Sequence, residues 1–495
     1  MKKDRWERKM NRKNLTCFAG FFIVALVYLL LCSGYTSPLF GEMVNYDSAI
    51  FMLVGKGILE GKELYTEIFD HKGPVLFWLE ALGMLGGRMG IFLLQLVFMT
   101  VNLYLINKIA GLWELEKKKR FLIIGLTLLI LSYPLSNGNL SEEYGLPFTF
   151  LPLYLFLKDW RQKEVPSLFH SWIYGICFGV HAFIRINNGI SVCAIVGCWL
   201  VWLIWQKKVK ELGIHLLVGL AGIGTVALPI LLFFYSRGTL YDMLYATFLF
   251  NLEYSSRMSF LTNLSSKSTL AHMVILFSPL LLAAWIFIWK GKREVKWALE
   301  FILLTNILML FLGYGYNHYF TTSVPMVTLM LCVWFGDADK EEGAGTGRRL
   351  ALNLGKWGMA CVVAGYSILF LRILVLNADE AYLNERTIGE KAAVKEALGT
   401  IPAEERQSVL GVDVQAKYYL YGDVLPCYRY GILQSHWSKS NPEIMGTTLS
   451  YIKENPPLWL MTEPEYENDG LQPVLEVLYE SRLENEFIAL YRLKK

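Results

Sequence analysis

Long apolar runs separated by short polar connections occupy most of this chain. Runs such as 212–235 and 269–289 are long enough to cross a bilayer, whose apolar core needs about 20 helical residues. We therefore predict about eleven transmembrane helices. Their predicted bounds are 15–35, 88–111, 121–133, 146–157, 172–184, 189–205, 213–235, 269–289, 299–315, 320–335 and 359–376.

Composition and charge placement support this interpretation. Of 495 residues, 54% are hydrophobic and 18% are charged, against roughly 25% charged residues in a soluble domain. This composition excludes a soluble enzyme. Basic residues gather in alternate connections, at 117–120, 207–210 and 290–296. Because cytoplasmic loops attract Lys and Arg, we expect a cytoplasmic N-terminus and, with an odd number of spans, residues from about 377 to 495 outside.

Two predicted spans, 121–133 and 146–157, are short. At about 1.5 Å per residue they reach only roughly 20 Å, whereas the apolar core is about 30 Å thick. The loop between them carries Glu142 and Glu143. We expect this loop to enter a polar cavity that opens to the outer side, because lipid cannot satisfy a loop backbone. The alternative explanation of the short spans is a locally thinner bilayer. The alternative role of Glu142 and Glu143 is to shape a solvated loop.

The remaining patterns complete the predicted fold. Asp47 precedes an apolar stretch and is expected near the N-cap of a short interfacial helix, followed by a second helix from Pro74 to Leu85. At least one more interfacial helix is expected within 236–268. The tail combines a helix at 385–397 with short strands in 408–414, 458–462 and 487–493. We predict an α-helical polytopic membrane protein with a membrane domain, 1–376, and a small extracytoplasmic α/β domain, 377–495.

The first outer loop carries a family resemblance in three segments: Tyr46-Asp47-Ser-Ala-Ile-Phe-Met, Gly61-Lys-Glu-Leu-Tyr65 and Phe69-Asp70-His71-Lys72-Gly73-Pro74. It resembles the first loop of polytopic glycosyltransferases of the C fold, namely bacterial enzymes similar to protein mannosyltransferases and to the aminoarabinose transferase of lipid A. Weaker similarity lies at 139–144, 183–187 and 317–320. The resemblance implies that a sugar moves from a polyprenyl phosphate to a glycan, lipid or protein acceptor of the cell envelope, with inversion on the outer face.

The chemistry of this reaction requires such residue types. The acceptor hydroxyl needs a carboxylate base, and the donor phosphate needs cations as charge grows on it. The resemblance assigns Asp47 as general base and Lys72 as the phosphate ligand, with Asp70 as a second catalytic residue. The other substrate-binding candidates are His71, Glu142, Glu143, Arg185, His318 and Tyr319. The expected partners are the polyprenyl-phosphate donor, the acceptor and the bilayer, with no nucleic acid.

Each assignment has a structural alternative. Asp47 and Asp70 could cap the helices that follow them, or share a divalent cation, so metal dependence is open. Lys72 could extend toward phospholipid headgroups, and Arg185 could anchor a helix end at the interface. His181 is expected to be a hydrogen-bonded interior residue. The alternative function is a transporter or flippase of lipid-linked sugars without catalysis.

Overall fold

The computed structural model describes residues 18–41, 46–135, 137–162, 165–257, 267–291, 293–310, 316–336 and 346–495. The chain divides into two compact units. One, here called the membrane unit, comprises Met1–Ser33, Phe92–Ile230 and Ser259–Val375. The other, the loop–tail unit, comprises Gly34–Ile91, Leu231–Met258 and Leu376–Lys495. The tail therefore forms one compact unit with the first loop, 34–91, and the 231–258 connection.

Helices dominate the described chain. They are α1 (Phe18–Cys32), α2 (Tyr46–Leu59), α3 (Pro74–Met84), α4 (Gly87–Leu112), α5 (Lys117–Ser132), α6 (Ser141–Gln162), α7 (Leu168–Arg185), α8 (Ile190–Trp205), α9 (Val209–Ser236), α10 (Leu240–Leu244), α11 (Phe250–Arg257), α12 (Lys267–Lys290), α13 (Arg293–Leu310), α14 (Val324–Gly336), α15 (Thr346–Tyr382), α16 (Glu385–Gly399), α17 (Ala416–Gly422), α18 (Gln434–Ser438), α19 (Glu443–Glu454) and α20 (Gln472–Leu478). Short 3₁₀ helices occur at Ile186–Gly189, Asn317–Ser323 and Ala403–Ser408, and one π-helix at Tyr245–Leu249.

The membrane character of the helices is confirmed, although their number is not. Wherever the predicted spans fall on described residues, they coincide with helices. Within the described part of the chain, six segments are long and apolar enough to cross a bilayer. They are Gly87–Leu112, Leu168–Trp205, Val209–Ser236, Met273–Lys290, Asn317–Gly336 and Thr346–Tyr382. The count of eleven and the orientation of the termini stay predictions.

The predicted short span at 146–157 is wrong. Helix α6 has 22 residues, about 33 Å at roughly 1.5 Å per residue, because polar residues extend the apolar run at both ends. Glu142 and Glu143 lie in its first turn, where the amide groups of a helix N-terminus favour negative charge. Both are buried, so the interpretation of a solvated loop is also wrong.

Helices α7 and α8 form an antiparallel hairpin around the 3₁₀ turn Ile186–Gly189. Tyr174, on α7, interacts with Trp199, a similar distance beyond the turn on α8. Helix α9 crosses α7 closely, since a Cβ atom at Gly222 would lie 2.2 Å from the carbonyl oxygen of Trp172. The membrane unit thus relies on glycine where two helix backbones meet.

In the loop–tail unit, α2 and α3 pack against each other. A Cβ atom at Gly55 of α2 would lie 2.8 Å from the backbone carbon of Glu80 in α3, so the two helices are in close contact. The Arg88 side chain stabilises the turn at 35–40, before α2. It donates hydrogen bonds to the carbonyls of Tyr35, Ser37 and Phe40 at 2.7–3.0 Å. The helices α10 and α11 confirm the predicted helical structure within 236–268.

The tail contains the predicted small α/β fold. Its four strands are β1 (Val409–Gly411), β2 (Trp459–Thr462), β3 (Tyr479–Glu484) and β4 (Ala489–Leu493), in the order β1-β2-β4-β3. β1 and β2 are parallel, whereas β4 runs antiparallel to both β2 and β3. The sequence prediction missed β3, because this edge strand is charged and partly exposed and gives only a weak hydrophobic signal.

The α7–α9 crossing yields a stability prediction. Gly222→Ala should lower the free energy of unfolding by about 2 kcal/mol, because the added methyl group must separate two backbones. Gly224→Ala, on the same helix, should have little effect, since its Cβ would lie 3.8 Å from Leu228. Thermal unfolding of both variants in detergent tests this expectation. Equal midpoints for the two would contradict the close crossing.

Candidate functional site

Asp70, His71 and Lys72 lie in the turn between α2 and α3. Gly73, in an extended conformation, and Pro74 begin α3. Asp70 does not cap α3, because its Oδ1 accepts a hydrogen bond from the Lys72 backbone N–H at 2.9 Å. The carboxylate therefore shapes the turn that presents Lys72, and the interpretation of Asp70 as the helix cap is wrong.

The Lys72 side chain is buried, with only 5% of the residue exposed. Its Nζ lies 3.0 Å from His71 Nε2 and 5.6 Å from the ring centroid of Phe51. Because an ammonium group only donates, His71 Nε2 is the acceptor in this contact. His71 Nδ1 lies 3.9 Å from the Asp70 carboxylate. The three side chains form a continuous polar row, here called the charged row, in which the neutral His71 imidazole lies between the charges of Asp70 and Lys72. The burial of Lys72 does not fit extension toward lipid headgroups.

The backbone of this turn is held from several directions within the loop–tail unit. The Tyr65 hydroxyl donates to the carbonyl of Lys72 at 2.8 Å, and the Asn251 amide donates to that of His71 at 2.6 Å. The Phe69 backbone N–H donates to the carbonyl of Arg429 at 3.1 Å. These bonds come from three separate parts of the chain, so the turn has little freedom to move.

Asp47 belongs to the same cluster. It lies in the first turn of α2 and is half-buried. Burial raises the pKa of Asp70, Lys72 lowers it in part, and Asp47 raises it further. Asp47 is therefore close enough to Asp70 for their charges to interact. Asp70, His71 and Lys72 are thus in contact with one another, and the charge of Asp47 acts on Asp70.

The other candidate residues form a second cluster, within the membrane unit. Glu142 forms an ion pair with Arg185 at the end of α7. The Arg185 guanidinium lies 4.2 Å from the ring centroid of Tyr319, and the His318 ring lies 4.8 Å from that of Tyr319. Glu142, Arg185 and Tyr319 line a cavity of about 20 Å³, which has room for about one water molecule.

Glu143 has a different environment from Glu142. Its Oε2 accepts hydrogen bonds from the Gln95 side chain at 2.8 Å and from the Asn139 backbone at 2.9 Å. Sequence reasoning missed Gln95, although an amide inside an apolar span is itself a signal of a buried polar contact. His181 is buried, with its Nε2 3.2 Å from the Thr149 hydroxyl, which agrees with the predicted interior role.

The question of a metal ion is left to experiment. Among the described residues, no group of three or more His, Cys, Asp and Glu side chains is placed to hold a cation. Asp47 and Asp70 would supply two carboxylates, and the other ligands of a cation would have to come from substrate or water.

Comparison with known proteins identifies the fold. No family model matches the chain, and no curated protein matches its sequence. Among solved structures, it is similar to the crystal structure of ArnT from Cupriavidus metallidurans bound to undecaprenyl phosphate. The match covers 96% of this chain and 97% of that one, with a TM-score of 0.57 and 12% sequence identity. The predicted resemblance to C-fold transferases of the aminoarabinose transferase type is therefore confirmed for the fold.

The ion pair of the membrane unit yields a prediction. Glu142→Gln should lower the free energy of unfolding by about 3 kcal/mol, because it leaves the Arg185 charge uncompensated in a buried site. Glu211→Gln is the matched control, since Glu211 pairs with Lys208 on the surface at 3.6 Å and should matter by less than about 0.5 kcal/mol. Chemical unfolding in detergent measures both. A neutral Glu142→Gln would show that the pair contributes no stability.

The raised pKa of Asp70 predicts a pH dependence. A carboxyl whose pKa is raised by folding contributes stability at low pH and loses it as the pH rises past its unfolded value, near about 4. Asp70→Asn should therefore gain stability relative to wild type as the pH increases from about 4. Asp423→Asn should instead lose stability relative to wild type as the pH rises toward about 4 and change little above it, because the hydrogen bond from Lys56 lowers the pKa of Asp423. Parallel trends, measured by unfolding at several pH values, would refute the assignment.

Proposed function

We propose that this chain is a membrane glycosyltransferase that moves a sugar from a polyprenyl-phosphate donor to a cell-envelope acceptor on the outer face. The observation that carries the proposal is the buried Lys72 in a first-loop turn that also holds Asp70 and His71, with Asp47 nearby. The fold adds support, because it is shared with a transferase whose crystal structure contains undecaprenyl phosphate. The outer location rests on the distribution of basic residues in the sequence.

In the proposed reaction, Lys72 binds the donor phosphate. As the bond between the sugar C1 and the phosphate oxygen breaks, negative charge grows on the phosphate, and a fixed ammonium group stabilises it most strongly where water is excluded. His71 holds the Lys72 ammonium, and Asp70 sets the backbone turn. The polyprenyl phosphate then leaves.

Asp47 acts as the base. The acceptor hydroxyl attacks C1 on the face opposite the leaving phosphate, and Asp47 removes its proton as the new glycosidic bond forms. A single displacement of this kind inverts the configuration at C1 and needs no covalent enzyme intermediate. Asp47 is half-buried at the start of α2, so a substrate hydroxyl has access to its carboxylate.

The substrate contacts expected of Glu142, Arg185, His318 and Tyr319 stay predictions. The cavity that Glu142, Arg185 and Tyr319 line has a volume of about 20 Å³, room for about one water molecule. The contacts of Glu143 are with Gln95 and Asn139, and its predicted part in substrate binding is the least supported of the set.

Replacement of the base tests the proposal. Asp47→Asn should lower kcat for sugar transfer from polyprenyl-phosphate hexose or pentose by at least about 100-fold, because a positioned general base contributes about that much or more. Undecaprenyl phosphate should still bind to the variant. Asp423→Asn, which alters an exposed carboxylate of the tail, should transfer at the wild-type rate.

The same assay separates the alternatives. Full activity of Asp47→Asn would exclude Asp47 as the base. If the wild-type protein binds undecaprenyl phosphate and moves the lipid-linked sugar across vesicle membranes without transferring it, the chain is a flippase. Loss of transfer in a chelator, with recovery on addition of a divalent cation, would establish the metal dependence that the sequence leaves open.

A further inference from the structure

The tail reaches the first-loop cluster through the segment from Arg429 to Trp437. The carbonyl of Arg429 accepts the hydrogen bond from Phe69 described above, and its guanidinium lies 5.6 Å from the Phe69 ring centroid. The Phe69 ring also packs edge-on against Tyr430 and Trp437, with centroids 5.0 and 5.3 Å away. Phe69 directly precedes the charged row, so this tail segment and the row are fixed against each other.

The short helix α18, which carries His436, is held firmly on both sides. Gln434 is buried, donates to the carbonyls of Gly411 and Tyr430, and accepts from the Asp413 backbone. Trp437 is buried against Phe69. His436 lies between these two anchors in the sequence and is itself only half-buried. Its position is therefore set by its neighbours, while part of its ring stays accessible.

The charges around His436 come from the first-loop cluster and from its own segment. Burial lowers the pKa of His436, Lys439 and Lys72 lower it further, and Asp47 raises it. The charges of Lys72, the proposed phosphate ligand, and of Asp47, the proposed base, therefore both act on the His436 imidazole. An imidazole ring carries at least one N–H donor in either protonation state.

We propose that His436 of the tail is a further phosphate-binding residue, which donates a hydrogen bond to the donor phosphate beside Lys72. This inference rests on the proposed function and extends it, because it makes the tail part of the substrate site. Its geometric basis is an imidazole on a short helix that Gln434 and Trp437 hold in place. Trp437 packs 5.3 Å from Phe69, which directly precedes Asp70-His71-Lys72. The ligand class is a phosphate monoester or diester carried by a long-chain lipid.

The test measures binding and turnover separately in the full-length protein. His436→Ala should weaken binding of undecaprenyl phosphate about tenfold, the usual effect of losing one hydrogen bond to a charged ligand. It should raise KM for the sugar donor by a similar factor, with kcat changed less than about threefold. His436→Gln, which keeps an N–H donor, should recover most of the affinity.

Lys453→Ala is the control for general charge. Lys453 is exposed in the last turn of α19, so at about 0.15 M salt its loss should change affinity less than about twofold, because distant exposed charges are screened. Thermal midpoints of all variants should match the wild type. A His436→Ala protein that is destabilised but binds undecaprenyl phosphate normally would refute the inference and assign the residue a purely structural role.

The outcomes for this inference and for the proposed function are distinct. If the wild type transfers sugar and His436→Ala keeps wild-type affinity and KM, the inference fails and the transferase stands. If the wild type binds undecaprenyl phosphate without transferring sugar, and His436→Ala weakens that binding, the lipid-phosphate site stands and the transferase fails. Absence of any binding by the wild type overturns both.

Discussion

The burial of a charged turn is the constraint on which the rest of the loop–tail unit depends. Removing an ammonium group and a carboxylate from water costs several kcal/mol each, and this cost is offset only where partners are fixed. Lys72 and Asp70 meet that condition because the turn between them is tied down by Tyr65, Asn251 and the carbonyl of Arg429. If the turn were less constrained, water would reach the charged groups or the Lys72 side chain would move out of its buried position. The rigidity of the turn is thus a requirement of the buried charges, and it also prepares them for a second charged ligand.

Buried charges in the membrane unit also have fixed partners, although these partners are of a different kind. Glu142 and Glu143 lie where a helix begins, so backbone amides and nearby cations can compensate their charge. Glu142 is paired with Arg185, which in turn stacks over Tyr319, while Glu143 accepts hydrogen bonds from the amides of Gln95 and Asn139. Helices α7 and α9 approach closely because glycine occupies their crossing point. Two carboxylates adjacent in the sequence thus have different partners, and Glu142 lines a small cavity.

The structural features that follow from local sequence pattern are predictable from the sequence. The contacts between residues that are far apart in the chain are not. Apolar runs located the membrane helices, and Gly73-Pro74 located the start of α3. Glu142 and Glu143 were placed in a loop, because hydropathy cannot show that a polar turn is the first turn of a buried helix. The pairing of Glu142 with Arg185 joins residues 43 positions apart, and no pattern within either segment encodes it. The first-loop residues were found because they are adjacent in the chain and because a family resemblance marked them.

The tail shows most clearly that contacts between distant residues are not readable from the sequence. It forms a compact unit with two segments that lie far away in the chain, 34–91 and 231–258. By composition, residues after 376 are a soluble α/β module that could be separate from the membrane part. In the structure, Arg429 and Trp437 enclose Phe69, more than 350 positions earlier, and Lys56 of α2 bonds Asp423 at 2.6 Å. An aromatic ring enclosed on several sides gains its full packing energy only when all sides are present. The first loop and the tail therefore stabilise each other, and a site built on Phe69-Asp70-His71-Lys72 depends on a domain that the membrane pattern alone would leave out.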